Sequence, residues 1–171
     1  GEVDMLEETY LKIISAKTAE LFAAATKVGA ILSGMKSKEK EALEFYGRNL
    51  GLTFQIADDT LDYNSELKLF GKKIGQDFYE GKITLPIILL FQKADDKEKE
   101  RLKEIFSKNV RSKDDLEYSL SLIKKYEIIK ACYKKAEHYI NLASNSLSVF
   151  GDSEEKSILE NLTSFSLTRN F

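Results

Sequence analysis

Apolar residues recur every three or four positions along most of the chain, the period of a helix that buries one face. Leu11, Ile14, Leu21, Phe22, Ala25, Val28 and Leu32 make one such series. It predicts a helix from about Glu7 to Ser33, buried along that stripe and stopped at Gly34. Leu43, Tyr46, Leu50, Phe54 and Leu61 make a second, with Ser37 as its N-cap. Gly47 and Gly51 lie on one face of the second helix, where each glycine costs about 1 kcal/mol. The pair reads as a place where another backbone or a ligand comes close, or as two tolerated weak spots.

The helical pattern lapses between Asn64 and Thr84, where Gly71, Gly75 and Gly81 punctuate a polar stretch. A loop of that length inside a domain is usually functional or mobile. Helix resumes at Thr84-Leu85-Pro86, with the proline in the first turn, where its missing N–H does no harm. Four further helices start near Asp95-Asp96, Ser112, Glu127 and Asp152, the last with Glu155 placed for a capping box. No convincing period-two alternation, internal repeat or low-complexity linker breaks this order. The expectation is an all-α helical bundle forming a single unit over residues 1–171.

Composition narrows the classes of function. Hydrophobic residues at 43% and charged residues at 32% fit a globular chain and argue against disorder. Lys plus Arg number 26 and Asp plus Glu 28, a net charge of −2. Nothing here favours nucleic acid or an anionic membrane, so a phosphate-bearing ligand must be held by a local arrangement. No apolar run reaches the roughly 20 residues that span a bilayer. The start, Gly1-Glu2-Val3-Asp4, does not read as a signal peptide. Cys132, the single cysteine, sits in a helical apolar pattern and reads as buried packing, which suits a reducing cytoplasm. His138, the only histidine, has no neighbour with which to form a catalytic or metal set.

Three adjacent aspartate pairs differ in their setting. Asp95-Asp96 and Asp114-Asp115 fall at helix starts, where carboxylates cap free N–H groups. Asp58-Asp59 lies about twenty residues into a helix, between Phe54-Gln55-Ile56-Ala57 and Leu61. Gln55, Asp58, Asp59 and Asp62 are spaced to share one helix face. Two carboxylates about 6 Å apart repel by about 3 kcal/mol at an effective dielectric near 20. A bound cation would remove that cost, and an all-oxygen donor set suits Mg²⁺, whereas zinc would want His or Cys. An acidic solvated face is the alternative that these residues alone leave open. Gly71-Lys72-Lys73-Ile74-Gly75-Gln76-Asp77 and Gly81-Lys82-Ile83-Thr84 then add cations on a glycine-rich loop. Magnesium with lysine ammonium groups is a combination that binds a diphosphate.

Phe54-Gln55-Ile56-Ala57-Asp58-Asp59-Thr60-Leu61-Asp62 resembles the second aspartate-rich motif of the trans-isoprenyl diphosphate synthases. The two glycine–lysine segments, continuing to Leu85-Pro86, resemble the segment on the C-terminal side of that motif in the family. Lys17-Thr18-Ala19-Glu20-Leu21-Phe22, with Gly29-Ala30, resembles the preceding helix. The resemblance implies the C-terminal portion of the isoprenoid synthase fold, an all-α bundle around a deep cavity, in a homodimer. It makes Asp58 the principal magnesium ligand, with Asp59 and Asp62 ligating directly or through water. It places Lys17 and Lys72 on the allylic diphosphate, with Lys82 nearby, and Thr18 and Gln55 facing the allylic carbon. Asp77 matches the pattern without a clear role. The implied reaction is Mg²⁺-dependent ionisation of an allylic diphosphate followed by condensation with isopentenyl diphosphate. Such chemistry needs charge stabilisation of a leaving group rather than a strong acid or nucleophile.

The family uses two aspartate-rich motifs, and the sequence holds one. The expectation is therefore a C-terminal piece of a synthase lacking the half that carries the first motif, inactive as a prenyltransferase by itself. A non-catalytic subunit, a helical interaction module and a class I terpene cyclase-like protein are the alternatives. The glycine–lysine loop argues against the cyclase. Gly81-Lys82-Ile83-Thr84-Leu85-Pro86-Ile87 looks more like the long-chain, octaprenyl-type synthases than the short-chain ones.

Overall fold

Lys, Glu, Leu and Ala are plentiful and proline occurs once, so the backbone defaults to helix wherever turn residues do not intervene. A computed structural model describes residues 2–64 and 74–168. Among them the order begins with α1 (Glu2–Ile14), a π-helical turn (Ser15–Ala19), α2 (Glu20–Leu32), α3 (Ser37–Leu61) and α4 (Gln76–Glu80). It continues with α5 (Leu85–Lys93), α6 (Asp96–Ser107), α7 (Lys113–Lys125), α8 (Ile128–Ser146), a 3₁₀ turn (Leu147–Val149) and α9 (Glu154–Thr168). No strand occurs among the described residues, and the chain is all-α. None of the helices searched, again among those residues, is long and apolar enough to cross a membrane.

The backbone groups into two compact units, Gly1–Tyr10 with Asp58–Tyr133, and Leu11–Ala57 with Lys134–Phe171. In the second of these, Ala30, Leu43, Tyr46, Leu50, Ile140, Ala143 and Leu147 form the core, and Phe22, Met35, Phe150 and Leu159 pack against it. Tyr46 is buried with its hydroxyl donating to the Leu159 carbonyl at 2.8 Å. The glycine pair of α3 marks a close helix approach. A Cβ on Gly51 would lie 2.8 Å from Ala19 Cα, and one on Gly47 would press on the Phe22 carbonyl and the Thr26 hydroxyl. That hydroxyl donates to the Leu43 carbonyl at 2.6 Å, tying α2 to α3.

This approach overturns the expected buried stripe for most of its length beyond the π-turn. Ile14 is buried and Phe22 packs on the core as expected, but Leu21 is 72% exposed, Val28 52% and Leu32 82%, and Ala19, Ala23 and Ala30 are buried in their stead. Ala25 is exposed as well. From Ile14 to Ala19 is five residues, because the π-turn adds one to the run. One extra residue turns everything after it by about 100° relative to an uninterrupted α-helix. The alanines, not the leucines, then meet α3. Phe54, expected inside, is 45% exposed, and its ring lies 5.8 Å from that of Phe22.

Helix ends obey local chemistry. Gly34 takes φ +67°, and the Gly34 and Met35 N–H groups donate to the Ile31 and Ala30 carbonyls, the pattern of a Schellman cap. Helix α3 starts one residue earlier than expected, with Ser37 as its first helical residue. The Glu39 carboxylate accepts from the Lys36 N–H at 2.8 Å. For α9 the cap is Ser153 rather than Asp152, its hydroxyl accepting from the Lys156 N–H at 3.1 Å.

In the unit containing α4 to α7, every residue from Leu85 to Leu90 is buried, so the first part of α5 is apolar on all sides. The Phe106 ring meets Phe78 edge-on at 5.4 Å and Phe91 at 6.1 Å. Arg111 is buried, donating to the Phe106 carbonyl at 2.8 Å. Its guanidinium fills the space that a Cβ on Gly81 would need. Helix α4 occupies part of the expected loop and ends at Gly81, whose φ of +73° favours glycine. Asp95 with Glu98, and Ser112 with Asp115, form complete capping boxes on α6 and α7. Two of the three aspartate pairs thus do the structural work expected of them. Cys132 is buried as expected, and His138 is exposed with its ring edge against Tyr139.

These contacts set two measurable outcomes. Gly51→Ala removes a helix penalty of about 1 kcal/mol but forces backbone apart, so it should destabilise by about 1–3 kcal/mol in urea unfolding. Gly29→Ala, with nothing within 4 Å of its Cβ, should stabilise by roughly 0.5–1 kcal/mol. The second outcome concerns acid. The Lys108 ammonium, and then the Ser112 N–H, hold the Asp115 carboxyl down to about 2. Lys125 and Tyr126 do the same for Glu98, also to about 2. Both carboxyls are depressed on folding, so their stabilisation is complete above the ordinary carboxylate range and is lost as pH falls from about 4 to about 2. Melting temperature should drop across that window, and the Asp115→Asn, Glu98→Gln double variant should melt lower at pH 7 with a shallower acid limb.

Candidate functional site

The aspartate cluster occupies the final turn of α3 and the residue after it, because the helix ends at Leu61. A helix C-terminus carries the negative end of the macrodipole, the wrong end for carboxylates. The three aspartates meet that problem in different ways. Asp59 is buried at 6% exposure and accepts a 2.7 Å hydrogen bond from the Tyr10 hydroxyl of α1. Asp62 is in the turn beyond the helix, and its two oxygens accept from the Gln76 N–H at 3.1 Å and the Asp77 N–H at 2.9 Å. It therefore caps α4. Asp58 is exposed, and its carboxylate makes no hydrogen bond or ion pair with any other described residue. The expected single face of Gln55, Asp58, Asp59 and Asp62 is thus divided. Adjacent helix positions are about 100° apart, which turns Asp59 inward while Asp58 stays in solvent.

Two buried phenols border this acidic patch. Burial, and then the Asp59 carboxylate, push the Tyr10 hydroxyl well above its ordinary value, so it remains a hydrogen-bond donor. Burial and the nearby Asp62 do the same to Tyr63. Neither tyrosine stood out in the sequence. The available signal was that Tyr10 lies four residues before Ile14 on the line of a buried helix face, where a phenol needs a partner for its hydroxyl.

Lys82 comes after the Gly81 turn and pairs with Asp77 at 3.0 Å and Glu80 at 2.6 Å. Those two carboxylates raise its already high pKa, so it is a fixed positive charge. Asp77 thereby joins the Asp62 cap to Lys82. Lys72 lies outside the described residues.

Lys17, Thr18 and Gln55 belong to the other unit. The Thr18 hydroxyl donates to Gln55 Oε1 at 2.7 Å, joining the π-turn to α3. The family resemblance assigns these same two residues to one reacting centre. Lys17 is exposed, one residue before Thr18 in the same turn. A π-turn is often found at functional sites because it re-aims side chains within a helix.

Among the described residues no three carboxylate, imidazole or thiolate groups converge as a ready-made metal cage. The donor chemistry still fits a hard cation that takes one or two protein carboxylates and completes its shell with water and phosphate oxygens. Asp58 is the open carboxylate for that purpose.

Comparison with known proteins bears directly on this arrangement. The sequence pattern of the polyprenyl synthetase family matches residues 1–123. A short chain isoprenyl diphosphate synthase of Methanothermobacter thermautotrophicus is 37% identical over 98% of this chain and 51% of its own length. The crystal structure of a decaprenyl diphosphate synthase from Rhodobacter capsulatus superposes with a TM-score of 0.90 at 35% identity, covering 96% of this chain and 51% of that one. A polyprenyl synthase from Caulobacter crescentus, crystallised with calcium and isoprenyl diphosphate, gives 0.86 at 38% identity over 95% of this chain and 49% of that one. The chain spans about half the length of these relatives. With the family pattern matched over residues 1–123 and these identities over nearly the whole chain, the chain belongs to the polyprenyl synthetase family.

Proposed function

We propose that this chain supplies part of the diphosphate-binding apparatus of a prenyltransferase. That enzyme joins an allylic diphosphate head-to-tail to isopentenyl diphosphate, and the metal is magnesium. The observation that carries this reading is the division among the aspartates. Asp59 and Asp62 are engaged in the fold, and Asp58 is left exposed on the last turn of α3. A fold that holds two of three clustered carboxylates by hydrogen bonds and leaves the third open, at the negative end of a 25-residue helix, has concentrated negative potential for a cation. Asp58 would hold Mg²⁺, which when bound neutralises the diphosphate and makes it a better leaving group.

The remaining roles rest on residue chemistry and on the family's pattern. Lys17 and Lys72 contact diphosphate oxygens, and Lys82 adds fixed positive charge. Thr18 and Gln55, locked together, present oxygen lone pairs to an allylic carbon as positive charge develops there. Asp62 acts through the α4 cap. In the complete enzyme the working form is a cytoplasmic homodimer, a setting compatible with the single buried cysteine. The relatives include synthases named for short-chain, nonaprenyl and octaprenyl products, and we place this protein with the long-chain group on its Gly81–Ile87 segment.

Calorimetric titration of the chain with inorganic pyrophosphate tests the reading. Binding should require Mg²⁺, and Asp58→Ala should weaken it at least about tenfold, or 1.4 kcal/mol. Metal-independent binding, or full affinity in Asp58→Ala, would remove the reading's support. By itself the chain should condense no isopentenyl diphosphate. Diphosphate release from the two substrates above an Asp58→Ala control would show that expectation to be wrong.

A further inference from the structure

Burying a carboxylate costs several kcal/mol unless hydrogen bonds replace its water. Asp59 is buried beside the one open carboxylate of its cluster, and its partner Tyr10 lies 49 residues away in sequence with its own side chain 5% exposed. Both belong to the same compact unit. The phenol has only one proton to give, and the 2.7 Å contact places it on Asp59 Oδ2. Aspartate has a short side chain, so fixing its carboxylate fixes the backbone turn that carries it. Asp58 is the preceding residue on that turn.

We propose that Tyr10 is a positioning residue for cation binding: its hydroxyl pins the Asp59 carboxylate inward, and the last turn of α3 then presents Asp58 outward to a divalent cation. Asp59 acts in this arrangement as an anchor for the turn. The proposal rests on the reading of Asp58 as the cation's ligand. It differs from a packing role for Tyr10, which the ring alone would satisfy and Phe would preserve.

The test is calorimetry of Mg²⁺-dependent pyrophosphate binding by this chain and its variants. Tyr10→Phe keeps the ring and removes the hydroxyl, and it should weaken binding by about ten- to a hundredfold, as loss of a partner behind a metal ligand does. Because Tyr10 acts through Asp59, the Tyr10→Phe, Asp59→Ala double variant should bind no more weakly than Asp59→Ala alone. Asp59→Asn, whose amide oxygen still accepts from the phenol, should lose less than Asp59→Ala, and it decides the matter if Tyr10→Phe does not fold. Unchanged affinity in Tyr10→Phe, additive losses in the double variant, or an Asp59→Asn loss equal to that of Asp59→Ala would each overturn the proposal. Failure of the parent chain to bind, or binding that ignores Asp58→Ala, would instead overturn the Asp58 reading, and this inference with it.

Discussion

The close backbone contact of α2 against α3, at Gly47 and Gly51, sets the terms for its unit. Side chains larger than alanine would hold the helices apart at Ala19, and any side chain on Gly51 would collide there. Close approach lets Thr26 reach the Leu43 carbonyl. It also demands a face of small residues in register on α2, and an unbroken α-helix from α1 would not supply one. The π-turn solves that problem by adding a residue. Having done so, it presents Thr18 to Gln55. Packing and chemistry here have one cause.

In the other unit the governing constraint is electrostatic. Three aspartates crowd the wrong end of a long helix, and a protein can lower that cost by hydrogen bonds, by opposite charge or by a bound cation. Tyr10 and the α4 N–H groups deal with two of them. Lys82 is held by Asp77 and Glu80, so the positive and negative groups of this region are linked through one short helix. Of the three aspartates, Asp58 is left with its oxygens open to solvent. That open carboxylate is what a ligand can use.

Much of this was legible in the sequence where one residue type answers to one local rule. The capping aspartates, the proline at the start of α5 and the Gly34 stop are of that kind, since each depends only on neighbours within a turn. The motif Asp58-Asp59-Thr60-Leu61-Asp62 was anomalous on local grounds and so could be singled out. The different duties of its three carboxylates were not legible, because they are assigned by Tyr10 and by the Gln76 and Asp77 N–H groups, which are distant in sequence. The buried face of the first helix is hidden from its hydrophobic pattern for a related reason. Hydrophobic periodicity assumes constant residues per turn, and large side chains outweigh alanines in any such pattern. Here the alanines carry the contact and the period changes midway.

The π-turn has a consequence for how this segment tolerates genetic change. Substitutions within Ser15–Ala19 alter chemistry but keep the helical phase of α2. Deleting any one residue there would restore ordinary α-helical hydrogen bonding, and locally the backbone would be relieved. It would also leave Ala23 and Ala30 on the line that meets α3, because the turn holds one residue more than an α-helical path needs, whereas inserting a further residue would rotate them off it. What a deletion would remove is the turn that brings Thr18 to Gln55, so losing a residue here should be felt in chemistry before packing, and gaining one in packing first.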